Sequence, residues 1–411
     1  MNAQQCEILI IGAGPSGLTA AAELSKSHHV VVLEREQVAG GIPRHSDHIG
    51  YGVRDLRRVM SGPVYARRLV ELAIAAGAEI RTESMVTSWS ADRTVWVTSP
   101  TGRYELSADV VILATGARER PRSARLVAGD RPAGVYTTGL LQNLVHLQHR
   151  SPGTRAVVVG SELVSWSAVM TLREAGCETV AMVTERTRPE SYTGFHHGAK
   201  IALSTPVSTS TRVRRVIGRD RVQSVELENL NTGSIRTLAC DTVVFTGDWI
   251  PDNELARLGN IDIDSGSRGP IVDSMLRTSQ TGVFAIGNLV HPADTADVCA
   301  LDGRHVAESV RQFLTNPVTP TDGVRIAAQP PLRWVSPSLI RVGDGAPARR
   351  RLLLWSDEYR SVARLVATQA DVTVGRITLP WPAAPGRVLR VPWSLLANVD
   401  PDGGDVGIRL G

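Results

Sequence analysis

An isoleucine-rich apolar run, Glu7 to Ile11, leads without a gap into Gly12-Ala13-Gly14-Pro15-Ser16-Gly17 and then into the helix-forming stretch Leu18 to Leu24. Strand, glycine turn and helix in that order constrain the fold more than any other feature of the chain. In the spacing G-x-G-x-x-G the first glycine makes a tight turn, the second lets backbone approach a pyrophosphate, and the third lets the helix pack closely on the strand. The helix N-terminus then offers free N–H groups to the phosphates. A second strand, His29 to Leu33, ends in Glu34, about twenty residues beyond the glycines, where a carboxylate accepts hydrogen bonds from ribose hydroxyls. Taken alone the glycines would suit any glycine-rich loop; with both strands, the helix and the acid they predict a dinucleotide site.

A chain of 411 residues is too long for one core and suits two or three domains. Apolar residues at 42% and charged residues at 21% predict a globular chain with a sizeable core. The net charge of +4 comes from 45 basic against 41 acidic residues with no long run of one sign, which argues against a nucleic-acid partner. Neither a basic, apolar leader nor an unbroken apolar span is present, so no membrane span is expected and the chain reads as cytoplasmic. Cys6, Cys177, Cys240 and Cys299 form no C-x-x-C pair, so they read as reduced cysteines rather than a metal knuckle or a dithiol centre. Nucleophile-elbow and P-loop patterns are absent, which leaves hydrolase and kinase chemistry without support.

Two later segments narrow the dinucleotide. Val110 to Ala114 is another buried-strand run ending in Ala114-Thr115-Gly116, and Gly282-Val283-Phe284-Ala285-Ile286-Gly287-Asn288 follows much later. These resemble the Ala-Thr-Gly and late ribityl-contacting motifs of two-dinucleotide-domain flavoproteins of the thioredoxin reductase type, over about Glu7 to Phe313. The resemblance implies FAD, held by Gly12, Gly14, Pro15, Ser16, Gly17, Glu34, Arg35, Gly41, Ile42, Val86, Ala114, Thr115, Gly116, Gly287 and Asn288. Asn288 stands where such proteins usually carry aspartate; it can still hydrogen-bond a hydroxyl but brings no charge.

A second strand, turn and helix begins at Arg155, with Gly160-Ser161-Glu162-Leu163-Val164-Ser165 at the turn and a further strand near Thr179 to Thr184. Here only the first glycine remains, with Glu162 and Ser165 in place of the second and third. An ionised Glu162 about 4 Å from a phosphate would be repelled by about 4 kcal/mol at an effective dielectric of about 20, against at most about 2 kcal/mol of attraction from the helix terminus. The net, about 2 kcal/mol, is more than tenfold in affinity, so inefficient use of NAD(P)H is expected unless Glu162 turns away. Binding of a nucleotide in another pose is the alternative.

Gly40-Gly41-Ile42-Pro43-Arg44-His45, Tyr51 to Leu56, Gly62 to Ala66, Arg118 to Arg125 and Thr278 to Asn288 resemble the FAD subunits of hydrogen cyanide synthase, opine oxidase and dye-linked proline or hydroxyproline dehydrogenases, and also flavoproteins related to anaerobic glycerol-3-phosphate dehydrogenase systems. That resemblance implies a D-amino-acid-oxidase-like partner subunit that oxidises an amine or amino acid, and a small iron-sulfur subunit. His45 and His48, with Asp47, are the titratable groups expected nearest the flavin, as hydrogen-bond donors or proton relays; backbone-bonded loop histidines are the equal alternative. Ligands confined to one short loop make a poor metal site, and none is predicted. Cys299 is expected in the helix after the ribityl motif as a small buried residue.

The expected fold is α/β. Residues 1–120 and 249–320 form a discontinuous FAD domain, residues 121–248 an inserted, degenerate NAD(P)-type Rossmann domain, and both sheets are largely parallel. Residues 321–411, with short runs separated by Gly, Pro and Asp and with Trp355, Trp381 and Trp393, form a C-terminal β-rich domain. The function expected is an FAD-containing electron-transfer subunit of a heteromeric amine or amino-acid dehydrogenase or oxidase. A stand-alone NAD(P)H-dependent reductase and a scaffold with structural FAD are the alternatives.

Overall fold

In the computed structural model, which describes residues 4–317 and 323–411, the N-terminal apolar run is the strand Gln4–Ile11 at the centre of a mixed sheet. It pairs in parallel on both sides, Ile10 lying opposite Val32 of Val30–Leu33 and Ile112 of Gly102–Leu113. A strand with parallel neighbours on both sides is covered on both faces, which explains a continuous rather than alternating apolar run; Ile8, Leu9 and Ile10 are fully buried. The order across the sheet is Glu79–Arg81, Val30–Leu33, Gln4–Ile11, Gly102–Leu113, Thr94–Ser99 and Met85–Ala91. The last two run antiparallel, so only part of this sheet follows the parallel expectation. Val283–Ala285 returns to pair in parallel with the end of Gly102–Leu113, Ala285 opposite Leu113. That return brings the late glycine motif to the carboxyl ends of the strands, where open α/β sheets bind ligands.

Helix Pro15–Leu24 lies against helix Ala296–Thr315. A Cβ at Gly303 would stand 2.4 Å from the Ser16 carbonyl oxygen and 2.7 Å from the Ala20 nitrogen, so only glycine lets the two backbones come this close.

The chain divides into two compact units. The first contains the segments up to Arg44, Ile49–Ala117 and from Pro251 onward; the second contains His45–His48 and Arg118–Ile250. The boundary expected near Thr321 lies outside the described residues.

The second unit has a parallel sheet in the order Val135–Thr137, Thr242–Phe245, Arg155–Val159, Glu178–Val183, Val207–Ser208, with Trp166 of helix Leu163–Glu174 fully buried against it. Thr211–Gly218, Val222–Asn229 and Ile235–Ala239 add an antiparallel sheet.

Residues 323–411 belong to the first unit but have a core of their own. One sheet is Leu339–Arg341, Gly323–Ala328, Val406–Leu410, Ala363–Gln369, Val372–Leu379; the other is Leu332–Ser336, Arg351–Ser356, Val388–Pro392. Ile326, Leu365 and Ile408 of the first meet Leu352, Leu354 and Val391 of the second. Trp355 is buried and stacks on Trp334 at 6.2 Å, and Trp393 packs at the edge of the core, whereas Trp381 is 46% exposed. Among the described residues no helix is long and apolar enough to cross a membrane.

Candidate functional site

The first glycine turn has the geometry its spacing predicts. Gly12 adopts φ +110°, and a Cβ there would stand 2.5 Å from the Ala114 carbonyl oxygen. A Cβ at Gly17 would stand 2.0 Å from the Gly12 oxygen, so the helix rests directly on the turn. Gly14 differs: a Cβ there would meet nothing within 4 Å, and the same holds for Gly116. Side-chain space is thus left open at the position that has to admit a pyrophosphate, next to a helix that starts at Pro15 with Ser16 in its first turn. The residues fit a dinucleotide.

Glu34 is buried at the end of its strand, where Oε2 accepts the Ala13 N–H and Oε1 the Glu36 N–H, each at 2.9 Å. An ionised carboxylate has about four acceptor positions, so two remain for ribose hydroxyls. Arg35 is largely exposed and pairs with Asp252 at 3.2 Å. Gly41, at φ +64°, would place a Cβ 2.9 Å from the Gly14 Cα, so the second loop lies on the first. Ile42 starts the short 3₁₀ turn Ile42–His45 and is 53% exposed. Val86 is buried in Met85–Ala91, opposite Val97.

Beyond Ala114, the Thr115 hydroxyl donates to the Asp252 carbonyl at 2.7 Å, and the Asp252 N–H donates to Gly116 at 2.9 Å. Gly287, at φ +69°, abuts the first helix: a Cβ there would lie 2.7 Å from Ser16 Oγ. The Asn288 side chain bonds the Asp294 backbone twice, accepting its N–H at 3.0 Å and donating to its carbonyl at 3.1 Å. One amide hydrogen and one lone pair remain for a ribityl hydroxyl.

His45, Asp47 and His48 fall in the second unit. His45 is buried, His48 Nε2 lies 3.0 Å from Ser46 Oγ, and Asp47 lies 3.4 Å from His146 Nδ1. Cys299 is buried in Ala296–Thr315. Burial first, then Asp294 and Asp302, pushes its thiol far above the usual range, and burial pushes Cys6 and Cys177 to about 12 and Cys240 to about 11. All four cysteines are free, and none supplies a thiolate at neutral pH.

The second glycine turn departs from the charge argument made from sequence. Glu162 is the residue before helix Leu163–Glu174, and its carboxyl packs on Gly247, where a Cβ would stand 2.4 Å from Oε1. Burial above all, then Glu190 and Glu119, pushes its pKa up to about 8, so at neutral pH it is mostly uncharged. Repulsion between an ionised Glu162 and a phosphate is therefore not the governing term; space and hydrogen bonds are. The turn's N–H groups already have acceptors: Glu162 N–H donates to Ser165 Oγ at 3.0 Å, and Ser161 N–H to Glu190 Oε2 at 3.3 Å. Glu190 Oε2 also accepts the Ser161 and Thr184 hydroxyls at 2.9 and 3.0 Å.

Sequence reasoning passed over Glu190, Glu119, Asp302 and Gly303. Glu119 is buried, accepts the Gly139 and Gly247 N–H groups at 2.8 and 3.1 Å, and titrates above the usual range because burial outweighs those bonds. A glycine inside a long helix, as at Gly303, is the one signal that was legible.

The family model described as "Pyridine nucleotide-disulphide oxidoreductase" matches residues 6–309. The thioredoxin reductase of Treponema pallidum (strain Nichols) is 29% identical over 292 residues, covering 69% of this chain and 88% of that protein. An opine oxidase subunit of Rhizobium meliloti (strain 1021) is 24% identical over 398 residues, covering 87% of this chain and 84% of that protein. The crystal structure of T. acidophilum thioredoxin reductase superimposes with a TM-score of 0.65 at 21% identity, over 76% of this chain and 100% of that one, a likeness of fold. With a dinucleotide-type glycine turn at the carboxyl ends of its first sheet and a family match over most of its length, the chain is an FAD-dependent oxidoreductase and belongs to the pyridine nucleotide-disulphide oxidoreductase family.

Proposed function

We propose that this chain is the FAD-containing electron-transfer subunit of a heteromeric amine or amino-acid dehydrogenase or oxidase. In that assembly a D-amino-acid-oxidase-like flavoprotein subunit oxidises the substrate and a small iron-sulfur subunit takes part in electron transfer. The observation that carries the reading is the second glycine turn: Ser161 and Glu162 donate their N–H groups to Glu190 and Ser165 rather than leaving them to a pyrophosphate. A nucleotide bound there must displace an internal carboxylate that accepts from three donors. Each buried donor or acceptor left unsatisfied costs about 1–3 kcal/mol, or roughly 5- to 150-fold in affinity. Electrons that arrive from a partner subunit make a nicotinamide site unnecessary.

Bound FAD supplies the redox chemistry. The protein's part is to hold the dinucleotide at Gly12 to Gly17 and Glu34 and to shield the flavin. Disulfide reduction by the chain itself is disfavoured, since its four cysteines are buried and form no C-x-x-C pair.

Anaerobic titration with NADH and NADPH, following bleaching of the oxidised-flavin band, tests the reading. The isolated chain should stay oxidised, and the chain assembled with its partner subunits should bleach on addition of an amine or amino acid. Rapid bleaching of the isolated chain by either nicotinamide would instead establish a stand-alone NAD(P)H-dependent reductase. That second reading is favoured by the thioredoxin reductase match, which spans 88% of the relative. A flavin that no donor reduces would mark a scaffold.

A further inference from the structure

Two carboxylates stand behind the Gly287–Asn288 turn, and both are held by arginines of the C-terminal β segment. Asp302, 1% exposed in helix Ala296–Thr315, accepts the Gly287 N–H at 3.1 Å through Oδ2 and contacts His291 Nε2 through the same oxygen. Its other oxygen receives Arg349 Nη2, and Arg349 Nη1 donates to the Val298 carbonyl at 3.3 Å. Asp294, also buried, receives Arg390 Nη2 on Oδ1 at 2.6 Å, and its backbone is the partner of both Asn288 amide bonds. Arg349 precedes the strand Arg351–Ser356, and Arg390 lies within Val388–Pro392.

Burial works against the charge on Asp302, but Arg349 and His291 outweigh it and hold the carboxyl well below the usual carboxylate range. Without Arg349 the buried carboxylate would lose its guanidinium and keep only the Gly287 N–H and His291 as hydrogen-bond partners. Protonation or movement of Asp302 would then release the Gly287 N–H, in the turn that abuts Ser16 of the first glycine loop. The Arg390 pair acts on the same turn by a separate route, through Asp294 and the Asn288 side chain.

We propose that Arg349 and Arg390 are positioning residues for the flavin, acting from the C-terminal β segment through Asp302 and Asp294 on the Gly287–Asn288 turn. The β segment is on this view part of the cofactor site. The inference rests on FAD binding by this chain and is independent of the partner subunits.

The full chain, stripped of flavin, is titrated with FAD, and affinity and the visible spectrum of the rebound flavin are read for R349A, R390A and a control, R333A. Arg333 pairs with Asp357 at 2.7 Å in the same β segment, but both are well exposed and neither touches the turn. R349A and R390A should each weaken FAD binding at least tenfold, about 1.4 kcal/mol, and alter the flavin spectrum, while R333A matches the parent. R349K and R390K, which keep the charge but lose the planar fork, should fall between parent and alanine variant. Binding within twofold of the parent, with an unchanged spectrum, in R349A and R390A would overturn the proposal. If an alanine variant does not fold, its lysine variant decides in its place: weakened binding with an altered spectrum supports the proposal, and parental behaviour overturns it.

Discussion

Replacing Glu162 with glutamine removes one proton-binding group from the second unit while keeping its shape, and the structure sets the size of the effect. The carboxyl moves from an ordinary 4.5 to about 8 on folding, driven by burial and by Glu190 and Glu119. Between those two values the raised carboxyl corresponds to a free energy on the order of 5 kcal/mol, at about 1.36 kcal/mol for each pH unit. An acid whose pKa is raised in the folded state favours folding most fully below its unfolded pKa, and that advantage is lost as pH rises through the folded value. Between about pH 4.5 and 8 the native state holds a proton that the unfolded chain has released, so stability falls as pH rises. By pH 7 about 3 kcal/mol has gone, and E162Q should recover up to that amount. Because Glu119 and Glu190 share the cluster, the loss belongs to the group, and the variant should remove about one proton of the slope. Urea unfolding of parent and E162Q at about pH 5.5, 6.5, 7.5 and 8.5, reported by tryptophan fluorescence, measures this; fully buried Trp166 lies in the following helix. Parallel pH profiles for the two proteins would refute the protonated Glu162.

Helix propensity favours alanine over glycine at position 303 by about 1 kcal/mol, but the added carbon would meet the Ser16 carbonyl at 2.4 Å, and backbone cannot give way cheaply. G303A should therefore lower the thermal midpoint and weaken FAD binding, and a raised midpoint would show that the two helices are not in close contact. All four thiols are buried with raised pKa values, so in the native protein at about pH 8 an aromatic disulfide reagent should react slowly with every one of them and rapidly only after unfolding. One fast-reacting thiol in the folded chain would contradict that placement.

The first strand, glycine turn and helix were legible because each requirement is local. Ile8 to Ile10 are buried on both faces and read as a strand, Gly12 and Gly17 are needed where backbone meets backbone, and Glu34 follows its strand directly. The C-terminal strands were legible as short runs between turn residues for the same reason. What escaped depends on partners distant in sequence. Nothing near Arg349 or Arg390 marks them out among 43 arginines, because Asp302 and Asp294 meet them only after the strands have folded. His45 and His48 follow the Gly40-Gly41 turn in sequence, yet they belong to the other unit, where Ser46 contacts Gln142 at 3.4 Å.

Glu162 and Asp302 show why residue type alone did not reveal charge. Both are carboxyls tucked beside a glycine, Gly247 in one case and Gly287 in the other. Asp302 has a dedicated cation in Arg349 with His291 beside it, and it stays ionised despite burial. The cation nearest in effect to Glu162 is Arg125, but its guanidinium is committed to the carbonyls of Arg120, Thr246 and Gly247 at 2.8–2.9 Å. With Glu190 and Glu119 adding negative charge, neutralising Glu162 by protonation costs less than keeping it ionised. A buried carboxyl with a free cation becomes an anchor whose charge orders its surroundings; one whose cation is already used becomes a neutral packing group. On the first unit's turn the anchored carboxylate binds the Gly287 N–H and stabilises the site, whereas on the second unit's turn the neutral acid fills space beside N–H groups that already have acceptors.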